Sequence, residues 1–103
     1  MDRPYTLRFL PLFEHDLNSA VDYIAYALKK PDAAMKLIGD VEGAIYRRVK
    51  NPGAFEAFHS LREREHPYYR IGMGNYNVFY VVIGDAMEVR RLLYSGRDWR
   101  RKI

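Results

Sequence analysis

The stretch Tyr76-Asn77-Val78-Phe79-Tyr80-Val81-Val82-Ile83 constrains this chain more than any other. After Asn77 it is apolar at every position, so a strand built from it must be covered on both faces. That places it inside a sheet with a neighbour on each side. Gly74-Asn75 precedes it and Gly84-Asp85 follows it, and two-residue turns of this kind join antiparallel strands. The neighbours are then Tyr68 to Met73 and Met87 to Tyr94. Each carries polar residues at alternate positions (Arg70; Glu88 and Arg90), the pattern of outer, half-solvated strands. The last third of the chain therefore reads as a β-meander.

A meander with an apolar face needs a second layer, and the first half of the chain supplies it. Tyr5 to Leu10 alternates apolar and polar residues and reads as a first strand. Pro11 opens a helix, Glu14 and Asp16 suit its positive end, and Phe13, Leu17, Val21, Ile24 and Leu28 recur every three or four residues. With Ala20 and Ala27 beside them they predict one continuous buried stripe. Pro31 ends that helix and starts another, whose stripe is Ala34, Leu37, Ile38, Val41, Ala44, Ile45 and Val49. Gly39 and Gly43, four apart on one face, suggest the close approach of another backbone. Asn51-Pro52-Gly53 ends the second helix. Phe55, Phe58 and Leu61 are expected to pin the following loop to the core, with Arg62 to Glu65 as a solvated charged run. The order β-α-α-β-β-β predicts an α+β fold: a mostly antiparallel four-stranded sheet packed on a helical hairpin, one domain over residues 1–103. Pattern leaves open whether the first strand pairs with the second or with the last.

Composition sets the remaining bounds. A length of 103 residues suits one core, and 49% hydrophobic residues suffice to fill it. No apolar run approaches the ~20 residues that span a bilayer. Met1-Asp2-Arg3-Pro4 lacks the shape of a secretory leader, so a cytoplasmic protein without membrane association is expected. Cysteine is absent, His15, His59 and His66 lack metal-ligand spacing, and no phosphate-binding or dinucleotide glycine motif occurs. Neither metal nor cofactor is expected. The net charge of +4 is concentrated at the C-terminal end. There Arg90, Arg91, Arg97, Arg100, Arg101 and Lys102 face one acid, Asp98, while the preceding chain is close to neutral. A basic end on a neutral body favours a polyanion or an acidic protein as partner.

The residues that remain for chemistry are arginines and tyrosines on the meander. Arginine offers a planar fork of donors for phosphate or carboxylate, and tyrosine a flat face for stacking. Arg70 leads the second strand, Arg90 and Arg91 stand on the last, and Arg97 follows Tyr94-Ser95-Gly96. A shared face for Arg70 and Arg90 requires suitable register. Arg91 reads as an edge charge that discourages strand-to-strand association.

These residues carry a resemblance. Tyr69-Arg70, then Gly74-Asn75-Tyr76-Asn77-Val78-Phe79-Tyr80, then Val89 to Asp98 with its Tyr94-Ser95-Gly96-Arg97-Asp98 ending, resemble the RelE/ParE superfamily of toxins from type II toxin–antitoxin systems, also called plasmid-stabilisation proteins. The first helix, with Asp16-Leu17 and Asp22-Tyr23-Ile24, agrees. The resemblance implies a growth-inhibiting toxin, neutralised by a cognate antitoxin whose disordered segment folds on binding. It also implies one of two targets: DNA gyrase, poisoned without bond-breaking, or mRNA cut on the ribosome. In the cleaving branch Arg70 and Arg97 correspond to phosphate clamps, and Tyr94, His59 or His66 would have to move protons. Gly72 and Asn77 stand where that branch usually carries basic residues. Arginine stays protonated and makes a poor base, so the incomplete acid/base set favours the gyrase-type reading. Target contacts are then expected from Arg90, Arg97, Trp99, Arg100 and Arg101.

Overall fold

A computed structural model describes residues 4–57 and 66–96 of the chain. Its elements run β1 (Thr6–Phe9), α1 (Pro11–Asp22), a single π-helical turn (Tyr23–Ala27), α2 (Pro31–Arg48), a short 3-10 turn (Pro52–Ala54), β2 (Tyr69–Met73), β3 (Tyr76–Ile83) and β4 (Ala86–Tyr94). The fold is α+β, as the sequence pattern predicts. Among the described residues no helix is long and apolar enough to cross a membrane.

The doubly apolar strand lies inside the sheet. The strand order is β1-β4-β3-β2, and Val78, Phe79, Tyr80 and Val81 of β3 are fully buried. Their side chains alternate between two cores. Val78 and Tyr80 join Phe13 of α1 and Leu37, Val41 and Ile45 of α2, together with Val89 and Leu92 of β4. Phe79 and Val81 join Tyr68 and Leu93 on the opposite face. The meander is antiparallel, with Gly74 and Gly84 turning it at positive φ (56° and 61°), where a side chain is disfavoured.

The first strand resolves onto the last. β1 runs parallel to β4, pairing Thr6 with Ala86 through Phe9 with Val89. β4 is thus an interior strand rather than an outer one, and most of it is buried. Its alternating polar residues misled because their charges are neutralised locally. Glu88, 9% exposed, accepts from Arg90 Nε at 2.9 Å and lies 3.9 Å from Arg8.

Past Val89, β1 has given way to α1, and the β4 edge would be left without a strand. Asp16 takes that place. Its Oδ2 accepts from the Leu92 N–H at 3.0 Å and from Arg91 Nε at 2.8 Å, and its Oδ1 accepts from Arg91 Nη2 at 3.1 Å. Arg91 is therefore no edge charge warding off other strands. Its fork holds a carboxylate of α1, and both side chains are largely buried. A bidentate, charge-assisted pair of this kind is the strong form of the interaction.

Three further expectations change. The helical stripe is not continuous to Leu28, because the π turn rotates it and leaves Leu28 exposed. Lys29 closes that turn at φ 56°, an uncommon conformation for a residue with a side chain, and the Lys30 N–H reaches back to the Ile24 carbonyl. Gly39 and Gly43 admit no close backbone. Among the described residues, a Cβ at Gly39 meets nothing within 4 Å, and one at Gly43 meets only the Arg47 side chain. Phe55 does not enter the core but lies under the Arg48 guanidinium, 3.5 Å from its ring centre. The loop is pinned instead by buried Pro52, whose carbonyl accepts from the Tyr80 hydroxyl at 2.7 Å. That hydroxyl also accepts from Arg48 Nη1 at 2.9 Å. Phe58, Leu61 and the charged run lie outside the described residues.

Asp16→Ala strands the Leu92 N–H and the Arg91 guanidinium, and should cost about 2–3 kcal/mol in urea denaturation. Asp16→Ala combined with Arg91→Ala should cost less than the sum of the single changes. Val81→Asp buries an unpaired charge between Tyr68, Phe79 and Leu93, and should abolish the cooperative thermal transition. Lys29→Gly should raise stability by about 1 kcal/mol by removing the left-handed penalty.

Candidate functional site

The register brings two of the predicted arginines onto one face. Arg70 of β2 lies opposite Phe79, and Phe79 lies opposite Arg91, whereas the next residue, Tyr80, lies opposite Val89. Arg90 is the extra residue of a β-bulge. A bulge sets two residues against one and redirects their side chains. It explains why two consecutive arginines serve different ends: Arg91 turns to Asp16, while Arg90 turns to the face away from the helices. There Arg90 sits 5.8 Å above the Tyr68 ring and donates to Glu88. Cross-strand neighbours share a face, so Arg70 belongs to this face with Phe79. Arg70 and Arg90 flank Phe79 two strand spacings apart, about 10 Å.

Electrostatics hold Arg90 in its charged form. Burial works to lower its pKa, but hydrogen bonding to Tyr68 and Glu88 and the carboxylate's charge outweigh it, so the pKa is pushed above the ordinary guanidinium value. A group held so firmly protonated can orient an anion but cannot accept a proton.

Tyr94 lies on the other face. Its ring meets that of Tyr76 edge-on at 5.5 Å, and Tyr76 packs against the helix-side core. Both line a groove of about 690 Å³ with Tyr23, Ile24 and Leu28 of the first helical segment. The Tyr76 hydroxyl has its pKa raised by burial and by the nearby Tyr94 and Tyr23. The sheet therefore separates Tyr94 from Arg70 and Arg90. Arg97, Trp99, Arg100 and Arg101, and also His59, lie outside the described residues.

Asn77 and Gly72, which stand where the cleaving branch carries basic residues, form a different device. Asn77 is 5% exposed, and its Nδ2 donates to Ser95 Oγ at 2.8 Å. The Ser95 N–H donates to the Asn75 carbonyl at 2.6 Å. Gly72 lies opposite Asn77. The pair of bonds anchors Ser95-Gly96 to the β2–β3 hairpin, immediately before Arg97 in the chain. Gly96 lies close under the Tyr94 ring, which a Cβ at this position would displace. The groove and the Asn77–Ser95 anchor were not found from sequence. Tyr23, Tyr76 and Tyr94 lie too far apart in the chain for any spacing to link them.

Gly96→Ala should push the half-exposed Tyr94 ring off Gly96 at a stability cost under about 1 kcal/mol, because an exposed ring can swing clear. Loss of nuclear Overhauser contacts between Tyr94 and Tyr76, with an unchanged core spectrum, would register it.

Comparison with known proteins adds family information to this geometry. The family described as the ParE toxin of type II toxin–antitoxin systems, parDE, matches residues 7–99. No curated protein matches the chain. Among solved structures, a chain of the chromosomal ParDE toxin–antitoxin system from P. aeruginosa superposes with a TM-score of 0.70 at 14% identity, covering 88% of this chain and 96% of that one. A chain of the RelBE2 toxin–antitoxin complex from Mycobacterium tuberculosis gives a TM-score of 0.57 at 19% identity, covering 89% and 99%.

Proposed function

The chain belongs to the ParE toxin family of type II toxin–antitoxin systems, and from that premise we propose that it arrests growth by binding a macromolecular target such as DNA gyrase, without bond-breaking chemistry of its own. One observation carries the reading: the sheet places Tyr94 on one face and Arg70 with Arg90 on the other. Cleavage of RNA by its own 2′-OH needs a proton acceptor, a proton donor and a cationic clamp around one phosphate. Here the tyrosine and the candidate clamp at Arg70 are divided by a strand layer, and Glu88, the carboxylate on the arginine face, is held by Arg90. What this face offers is a surface of net positive charge, Arg8, Arg70 and Arg90 against Glu88, suited to an acidic protein or nucleic-acid surface. The basic C-terminal residues Arg97, Trp99, Arg100 and Arg101 extend the same charge in sequence. A cognate antitoxin is the second partner, supported by the likeness to chains from ParDE and RelBE complexes. Such a target and partner place the protein's action in the cytoplasm.

Induced expression should produce gyrase-dependent DNA breaks and an SOS response. Codon-spaced cuts in a reporter mRNA within minutes, read by primer extension, would overturn the proposal in favour of ribosome-dependent cleavage with Arg70 and Arg97 as clamps. Tyr94→Phe should leave growth arrest intact, whereas loss of a catalytic hydroxyl would cut activity by about 10²–10⁴-fold. Arg97→Ala should abolish growth arrest while the protein still folds and still binds its antitoxin; unchanged arrest would remove Arg97 from the target surface.

A further inference from the structure

The groove on the helix side of the sheet has a wall of unusual character. Two bonds donated by its backbone set the phase of β4: the Leu92 N–H points out to the Asp16 carboxylate, and the Ser95 N–H points in to the Asn75 carbonyl. Because a strand turns its polar groups to alternate sides, the N–H and C=O of Tyr94 point outward, away from β3. Among the described residues no group bonds to them. β1, which would have filled this lane, ended five residues earlier at the level of Val89. Among the described residues, the lane beside Leu92–Tyr94 is therefore a strand position begun by the Asp16 carboxylate and continued by no other group.

The other wall completes a site. Across the lane stand Ala20 and Ile24 of the first helical segment, with the Tyr76 ring as floor. The π turn carries Tyr23, 57% exposed, to the rim beside Tyr94, and such turns are frequent where a helix serves a function. Lys30 lines one end and, among the described residues, is the groove's cation outside the Asp16–Arg91 pair. The volume of about 690 Å³ suits a few side chains rather than a domain.

We propose that this lane receives an extended segment of the antitoxin, added as a short strand against Tyr94, with an apolar side chain between Ala20, Ile24 and Tyr76 and an acidic residue at Lys30. The inference rests on the toxin–antitoxin reading above. It selects a strand over a helix because one wall is open backbone, which only an extended chain can pair. It selects an acidic segment on charge complementarity with Lys30 and with a chain of net charge +4. It further implies that the antitoxin engages the sheet on the side opposite Arg70 and Arg90. Strand addition then bears on Tyr94, whose ring lies against Gly96 at the root of the basic end.

The test uses the whole chain and, as probe, the polypeptide encoded by the adjoining reading frame, co-expressed and purified as a complex. Amide hydrogen exchange at Tyr94 should slow on complex formation. Ser19→Arg, an exposed substitution at the groove mouth that leaves the core untouched, should weaken the complex by about a hundredfold. Lys30→Glu should weaken it by about tenfold. Lys36→Ala, on the solvent side of α2, should not change it. A complex that forms normally, with Tyr94 exchange unaltered and Ser19→Arg binding like the parent, overturns the groove assignment while leaving the toxin–antitoxin reading in place. Failure of the unmodified chain to bind that polypeptide at all overturns the partner reading and the groove assignment together.

Discussion

A strand that outlasts its neighbour must find something else for its edge to bond, and in this protein one carboxylate supplies it. Asp16 takes the Leu92 N–H and both arms of Arg91 at the point where β1 becomes α1. An uncovered edge is open to association with other chains. A charged side chain from the packed helix closes this part of it and at the same time ties the helix to the sheet. The position of α1 follows from that tie, and with it the width of the groove between α1 and the end of β4. The bulge at Arg90 belongs to the same arrangement, because it frees one arginine for Asp16 while the other remains on the far face.

The consequence is a sheet with two unlike sides. One carries a net positive charge, with Arg90 fixed by Glu88 and Tyr68 and with Arg70 across Phe79. The other, where the helices leave it uncovered, is aromatic and open. Tyr94 and Arg70, the proton-transfer candidate and a phosphate clamp of the cleaving reading, are divided by the strand layer between them. The division limits what chemistry either side can perform, since proton transfer requires contact.

Much of this was legible because the governing signals are local. An apolar run flanked by Gly74-Asn75 and Gly84-Asp85 admits one position in a sheet, and two stripes of period 3.6 separated by Pro31 admit one kind of hairpin. The errors came where tertiary pairing replaced solvent as the partner of a charge. Arg91 read as a solvated edge residue because its partner, Asp16, lies 75 positions away, and Glu88 because the parallel β1 that covers its strand comes from the other end of the fold. The π turn was invisible for another reason: one extra residue in a helical turn shifts the stripe without altering its composition. The arginine face was found because Arg70 and Arg90 lie on strands whose order the turns dictate. The groove was not, because its walls come from both ends of the chain.

The parallel pairing of β1 with β4 carries a temporal meaning. The first strand finds its lane only beside residues 86–89, some 80 positions further along the chain. Contacts of such long reach form late, after the loop between them has been closed. During synthesis the meander's last strand must leave the ribosome before the N-terminal strand can be seated, and Asp16 has nothing to hold until Arg91 and Leu92 have emerged. A chain cut short before residue 92 is accordingly an unfinished sheet, with β1 unseated and α1 untied.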